Sequence, residues 1–310
     1  MKRSTALNIL LLTLVIISCQ KNPLSYVNSL KWDNQRNILN ITFANQVGKP
    51  TITRIDSTHG SITVSINVDA VPNLGAIKID QLELSYGAKA SVKKGDALDF
   101  QNSSQSTTIK VTSPTGLSRE YTVTATSFKE SLIGSYSISD LTLYGGTGPE
   151  YGGGAVFKLS DKSWAWPKTD GPSAELDNTL VFKMTGVTPD GNTYGTINNE
   201  AGPDGLYANF MFADTVDVNH FYRKIPEGTG KWLRNYQTGM ITFTFPDGHT
   251  TSGKLIKAGT EDLGNSLSKT TKNEAFEFIL NGTDNWKKIY SDYDKIVARP
   301  RILWIDVNKQ

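Results

Sequence analysis

From Leu30 to Phe128 apolar and polar residues alternate with a period of two, the spacing that turns successive side chains to opposite faces of a strand. Ile62, Val64, Ile66 and Val68 alternate with Ser61, Thr63, Ser65 and Asn67, and Leu39, Ile41 and Phe43 with Asn40 and Thr42. Ile109 and Val111 keep this spacing, as do Tyr121, Val123 and Ala125 against Thr122, Thr124 and Thr126. Breaks at Val47-Gly48-Lys49-Pro50, Val71-Pro72-Asn73, Lys94-Gly95-Asp96 and Ser113-Pro114-Thr115-Gly116 cut the pattern into short strands, which predicts a β-sandwich of about 100 residues.

Near Lys129 the text changes: glycine and aromatics replace the Thr/Ser alternation, and five of the six tryptophans lie beyond this point. Pro189-Asp190-Gly191, Pro203-Asp204-Gly205 and Pro246-Asp247-Gly248 read as chain reversals, because proline presets φ and glycine accepts a positive one. Leu180 to Phe182, Tyr194 to Ile197, Tyr207 to Phe212 and Met240 to Phe245 then read as successive antiparallel strands, a meander that closes into a barrel or stacks as a sandwich. Trp286, Ile289, Tyr290, Tyr293, Ile296 and Val297 share one face at helical spacing and predict a short C-terminal helix ended by Pro300. Ile302 to Val307 reads as a last buried strand, with Trp286 and Trp304 both placed in the core. The expected class is all-β.

The first 18 residues predict a cleaved signal peptide: Lys2 and Arg3, then an apolar stretch too short to span a bilayer, then Ile16-Ile17-Ser18-Cys19. The residues before Cys19 resemble a lipobox, which makes Cys19 a lipidated first residue and residues 19–29 a polar tether. Acyl chains hold a protein to a membrane through about 0.8 kcal/mol per buried methylene. The domains expected are therefore 30–128, the sandwich, and 129–310, a distal β-rich ligand-binding domain.

Composition narrows the function. With 310 residues, 38% hydrophobic and 20% charged, the chain is too apolar for disorder, and a single cysteine excludes a disulfide scaffold. The formal charge of +2 vanishes once Lys2 and Arg3 leave with the signal, so nothing electrostatic favours nucleic acid. His59, His220 and His249 stand too far apart for a paired zinc motif, and no Gly-x-Ser-x-Gly elbow is present. Glu150, Glu175, Asp177 and Asp204 offer carboxylates for a glycosidase pair, whose separation the sequence does not give. The loop from Tyr144 to Gly154 lacks the ending of a phosphate loop and reads as a mobile hairpin connection. No cofactor, metal site or catalytic residue is expected.

Aromatic residues in loops are the remaining signal. Trp164-Ala165-Trp166-Pro167 puts two rings on one side of an extended segment, and with Trp232, Tyr144 and Tyr151 they form the candidate ligand-binding set. Sugar rings stack their C–H patches on such faces while neighbouring polar groups orient the hydroxyls.

The first module resembles the immunoglobulin-like or cadherin-like sandwich of Bacteroidetes outer-membrane lipoproteins, through Leu84 to Ala88, Gly95 to Phe100 and Ser118 to Thr124. Ile133-Gly134-Ser135-Tyr136-Ser137-Ile138 looks like the opening strand of a lipocalin-like barrel. As a whole the chain resembles accessory glycan-binding lipoproteins of starch-utilisation-type systems. That resemblance implies outer-membrane anchoring and capture of a polysaccharide or oligosaccharide beside an outer-membrane transporter, without chemistry. The tether lacks the acidic residues that mark surface export in that group, so the periplasmic face stays open. The alternatives are a structural or adhesive lipoprotein with a protein partner, and a lipocalin-like carrier of an apolar ligand.

Overall fold

Nineteen strands carry the described part of the chain, residues 32–71 and 73–310 of a computed structural model. The signal segment, Cys19 and the 19–29 tether lie outside the described residues. The described residues form two compact units, the first within residues 32–127 and the second holding Phe128–Gln310 with the short segments Asn45–Gly48 and Asn67–Val71.

In the first unit β1 (Ile38–Phe43), β4 (Ile77–Leu84) and β6 (Ala97–Leu98) make one sheet, in the order β1-β4-β6. The other sheet runs β2 (Gln46–Arg54), β3 (His59–Asn67), β8 (Ser118–Phe128), β7 (Ser106–Thr112) and β5 (Lys89–Ala90). Period-two burial drives the packing: Ile62, Val64, Ile66, Ile109, Val111, Tyr121 and Val123 point inward from the larger sheet, against Ile38, Ile41, Ile77 and Ile79 from the smaller. The Ile38 N–H donates to the Tyr121 hydroxyl at 3.3 Å, tying the two sheets. Leu39 is a correction, since it is exposed rather than inward. A register shift between Ile38 and Asn40 in the β1–β4 ladder turns Ile38 and Ile41 inward together and throws Leu39 out.

The second unit is a barrel. Strands β9 (Gly134–Gly145), β11 (Thr179–Val187), β12 (Thr193–Glu200), β15 (Gly228–Arg234), β16 (Ile241–Thr244), β17 (Thr250–Gly264), β18 (Leu267–Ile279) and β19 (Pro300–Lys309) pair in that order, all antiparallel. β19 returns to β9 from Ile302↔Tyr144 to Lys309↔Tyr136 and closes the ring. A meander thus becomes a closed eight-stranded barrel, not a sandwich. β10 (Ala155–Lys158) pairs with the far end of β9, while β13 (Met211–Phe212) and β14 (Val216–Asp217) form a small separate ladder. The turns at Gly191, Gly205 and Gly248 take φ of 79°, 70° and 90°, as the Pro-Asp-Gly signal requires.

The interior is solid with rings. Tyr136, Phe182, Trp232, Phe243, Phe276 and Phe278 are all buried, with Phe182 and Phe276 stacked at 5.5 Å and Phe243 edge-on to Phe276 at 6.0 Å. The void beside Ile138, Leu141, Phe210 and Tyr222 has about 10 Å³, room for a water at most. An eight-stranded barrel is just wide enough for its own side chains, and these rings occupy its interior.

The predicted C-terminal helix is reduced to one turn, Asp294–Ala298. Tyr290 adopts a left-handed φ of 76°, and Lys288 N and Ser291 N close tight turns on Asn285 O and Lys288 O, which a continuous helix does not allow. Ile296 is buried, but Trp286 is 54% and Tyr290 60% exposed, so the expected core role of Trp286 is wrong. Trp304 is fully buried, on the outer face of the ring.

Candidate ligand-binding surface

Two connections meet at the barrel end where β9 finishes and β19 begins: residues 146–154, between β9 and β10, and residues 280–299, between β18 and β19. The glycines of the first are dictated by contact. Replacing the Gly153 hydrogen by a methyl would put carbon 1.8 Å from Thr147 O, and the same change at Gly146 would meet Gly153 O at 2.1 Å. Asp294, fully buried, accepts the Thr147 N–H at 2.6 Å and the Thr147 hydroxyl at 2.8 Å. The Asn285 N–H donates to the same hydroxyl at 2.7 Å, Gly146 N–H reaches Arg299 O at 2.8 Å, and Arg301 Nε returns to Gly146 O at 2.8 Å. The segment read as a mobile loop is therefore a hairpin connection pinned on both flanks.

On this base stand exposed rings. Tyr151, 65% exposed, meets Trp286 with centroids 5.9 Å apart, and the Tyr290 hydroxyl donates to Tyr151 O at 3.2 Å. Gly148 lies beneath the Trp286 ring, where a Cβ would come within 2.9 Å of it. Trp164, 61% exposed, stands edge-on to Phe212 at 5.8 Å; Phe212 in turn meets Tyr293 at 5.7 Å, on the segment that carries Trp286. Polar groups border the rings: Lys162 pairs with Asp292 at 3.1 Å, and Lys288 Nζ sits 3.8 Å from the Tyr293 centroid.

Of the five aromatics nominated from sequence, Tyr151 and Trp164 are on this surface and three are not. Trp166 is buried, its Nε1–H donating to Leu159 O at 2.9 Å and its ring edge-on to Phe210 and Tyr222. Leu159–Ala165 is a 3₁₀ segment rather than an extended one, so residues 164 and 166 point apart. Trp232 faces the barrel interior on β15 and donates to Thr196 O at 3.0 Å. Tyr144 is covered on the outer face beside Trp304. Trp286 and Tyr290, which complete the cluster, were assigned to a helix; the turn-forming run Asn281-Gly282-Thr283-Asp284-Asn285 just before them was the contrary signal.

Glu175 is buried, held by Arg223 Nη1 at 2.5 Å and the Ala208 N–H at 2.9 Å, and Asp177 Oδ2 accepts the Asp204 N–H at 3.4 Å. His59 and His249 pair with Asp56 and Asp247 at 2.9 and 2.6 Å on exposed turns. Among the described residues no three His, Cys, Asp or Glu gather around a common point, and no helix is long and apolar enough to cross a membrane.

No family model matches the chain, and no curated protein matches it. Several solved structures align with it, two of them from Bacteroides. One, a candidate secreted protein of Bacteroides fragilis, is 15% identical, with a TM-score of 0.23, over 31% of this chain and 98% of its own. The other, a candidate glycoside hydrolase of Bacteroides thetaiotaomicron, is 11% identical, with a TM-score of 0.25, over 90% of this chain and 97% of its own. At these scores neither alignment bears on what this chain does.

Proposed function

We propose that this protein is a lipid-anchored outer-membrane protein that captures a polysaccharide or oligosaccharide, without cleaving it, for an uptake system. The observation that carries the proposal is the group Tyr151, Trp286 and Tyr290, with Trp164 nearby, all more than half exposed on a rim held rigid by Asp294. Large rings left in water on a pinned scaffold lose little conformational freedom on binding and offer flat faces to sugar rings. The lipobox-like Ile16 to Cys19, the tether and the sandwich before the barrel support a membrane-tethered display of that rim, with the cell surface favoured and a transporter as neighbour. Capture rather than hydrolysis is supported by Glu175, whose carboxylate is occupied by Arg223 and Ala208.

The chain from Gln20 to Gln310, run through native gels containing plant, microbial and host polysaccharides, tests this. Retardation by at least one polymer supports the reading. Retardation by none moves the weight to a protein partner, for which the same exposed rings would serve as anchors.

A further inference from the structure

A second site lies on the outer face of the same barrel. The β17–β18 hairpin is far longer than its neighbours, and its ladder breaks register between Lys257 and Gly259. Beyond the break Leu263 and Leu267 pack with Val156 and Ile302 over Tyr144, Ala275 and Trp304, so the arm lies against the wall formed by β9, β10 and β19. Between arm and wall remains a cleft of about 350 Å³. That is the small end of the range of ligand sites, about 300–1,000 Å³.

Its lining is polar and charge-balanced: Lys158, Lys269 and Lys272 against Asp140, Glu274 and Asp306. At the floor Lys269 Nζ meets both Asp306 oxygens at 2.8 Å, and Thr142 Oγ1–H donates to Asp306 Oδ2 at 2.8 Å. The Lys269 side chain is only 8% and that of Asp306 14% exposed. Burying such a pair is costly and an apolar pair would hold the arm as well, so stability does not explain it. On the wall Lys158 pairs with Asp140, and Glu274 gives one oxygen to Lys257 while its other, Oε2, is buried with no partner. Asn273 and Asn308 join across the mouth at 2.5 Å.

We propose that this cleft binds one or two rings of a neutral, polyhydroxylated ligand, a saccharide unit without acidic groups. A hydroxyl both donates and accepts, so it matches a wall that alternates ammonium, carboxylate and amide. An anionic ligand would face Asp140, Glu274 and Asp306, and a cationic one the three lysines, with no surplus of either sign to compensate. The inference shares sugar chemistry with the proposed function but not its surface, so each fails separately.

Isothermal titration of the Gln20–Gln310 chain with maltose, cellobiose and mannobiose, and with digalacturonate as the acidic control, tests it. One neutral disaccharide is expected to bind, roughly tenfold more weakly to an Asn273→Ala/Asn308→Ala double variant, which changes only mouth residues, and to Asp306→Asn. Trp286→Ala should leave that binding unchanged. Absence of binding by all three neutral sugars, equal binding of digalacturonate, or a double variant that melts and binds like the unsubstituted chain would each overturn it. Loss in Trp286→Ala alone would overturn the cleft while supporting the aromatic rim.

Discussion

Replacing Asp294 by alanine should loosen the aromatic rim by a predictable amount. Asp294 and Thr147 are both fully buried, and the carboxylate takes two donors from Thr147, the N–H at 2.6 Å and the hydroxyl at 2.8 Å. A hydrogen bond to a charged group contributes about 1.5–3 kcal/mol, and an orphaned buried donor costs about 1–3 kcal/mol. The hydroxyl still accepts from Asn285 N–H and can turn, whereas the buried backbone N–H loses the acceptor it has in Asp294. The N–H therefore dominates, and the whole change comes to about 2–4 kcal/mol, a large share of a domain stability of about 5–15 kcal/mol. Asp294→Asn keeps one acceptor oxygen and should cost roughly half as much. Urea denaturation followed by tryptophan fluorescence reads both. An Asp294→Ala chain within about 0.5 kcal/mol of the unsubstituted one, the scatter of ordinary surface changes, would refute the idea that this carboxylate pins the loop.

Three further outcomes follow from the barrel. Burial works to raise the Glu130 pKa, but hydrogen bonds from Thr193, Tyr236 and the Leu132 N–H, with Arg234 beside it, outweigh burial and hold it below its ordinary 4.5. A depressed folded pKa contributes stability above the unfolded value and loses it as pH falls through the folded one, so urea midpoints should drop on acidification below about pH 4.5, and less so in Glu130→Gln. Trp232→Ala removes a fully buried ring and should cost about 3–5 kcal/mol in the same assay, a core effect and not a selective loss of ligand. Gly153→Ala drives a methyl into Thr147 O and should cost about 1–3 kcal/mol while abolishing polysaccharide retardation; a variant that melts and binds normally would show that the loop has slack.

The parts of the fold legible in the sequence were those set by local rules. Alternation at Ile62, Val64 and Ile66 and at Tyr121, Val123 and Ala125 gives strands whatever the topology, and the Pro-Asp-Gly turns adopt the φ their glycines supply. Closure of the barrel was not legible, because it depends on β9 meeting β19 across more than 150 residues. Leu39 was misplaced by a bulge, which shifts the inward phase without any change in residue type. The site was half legible: Tyr151 and Trp164 stand out as loop aromatics, but Trp286 and Tyr290 fit a helical face as well as a rim. What decides between these is the left-handed backbone at Tyr290 and the Asp294 clasp on Thr147, a contact between residues 147 apart in sequence.

The central claim is that the exposed rings on the pinned rim capture a polysaccharide. The most direct measurement is retardation in native gels of the Gln20–Gln310 chain beside Trp286→Ala, Tyr151→Ala and Trp164→Ala, each checked for an unchanged melting temperature. Retardation by a polymer that Trp286→Ala or Tyr151→Ala abolishes is the result expected. Retardation that survives all three changes, or none with any polymer, would contradict it.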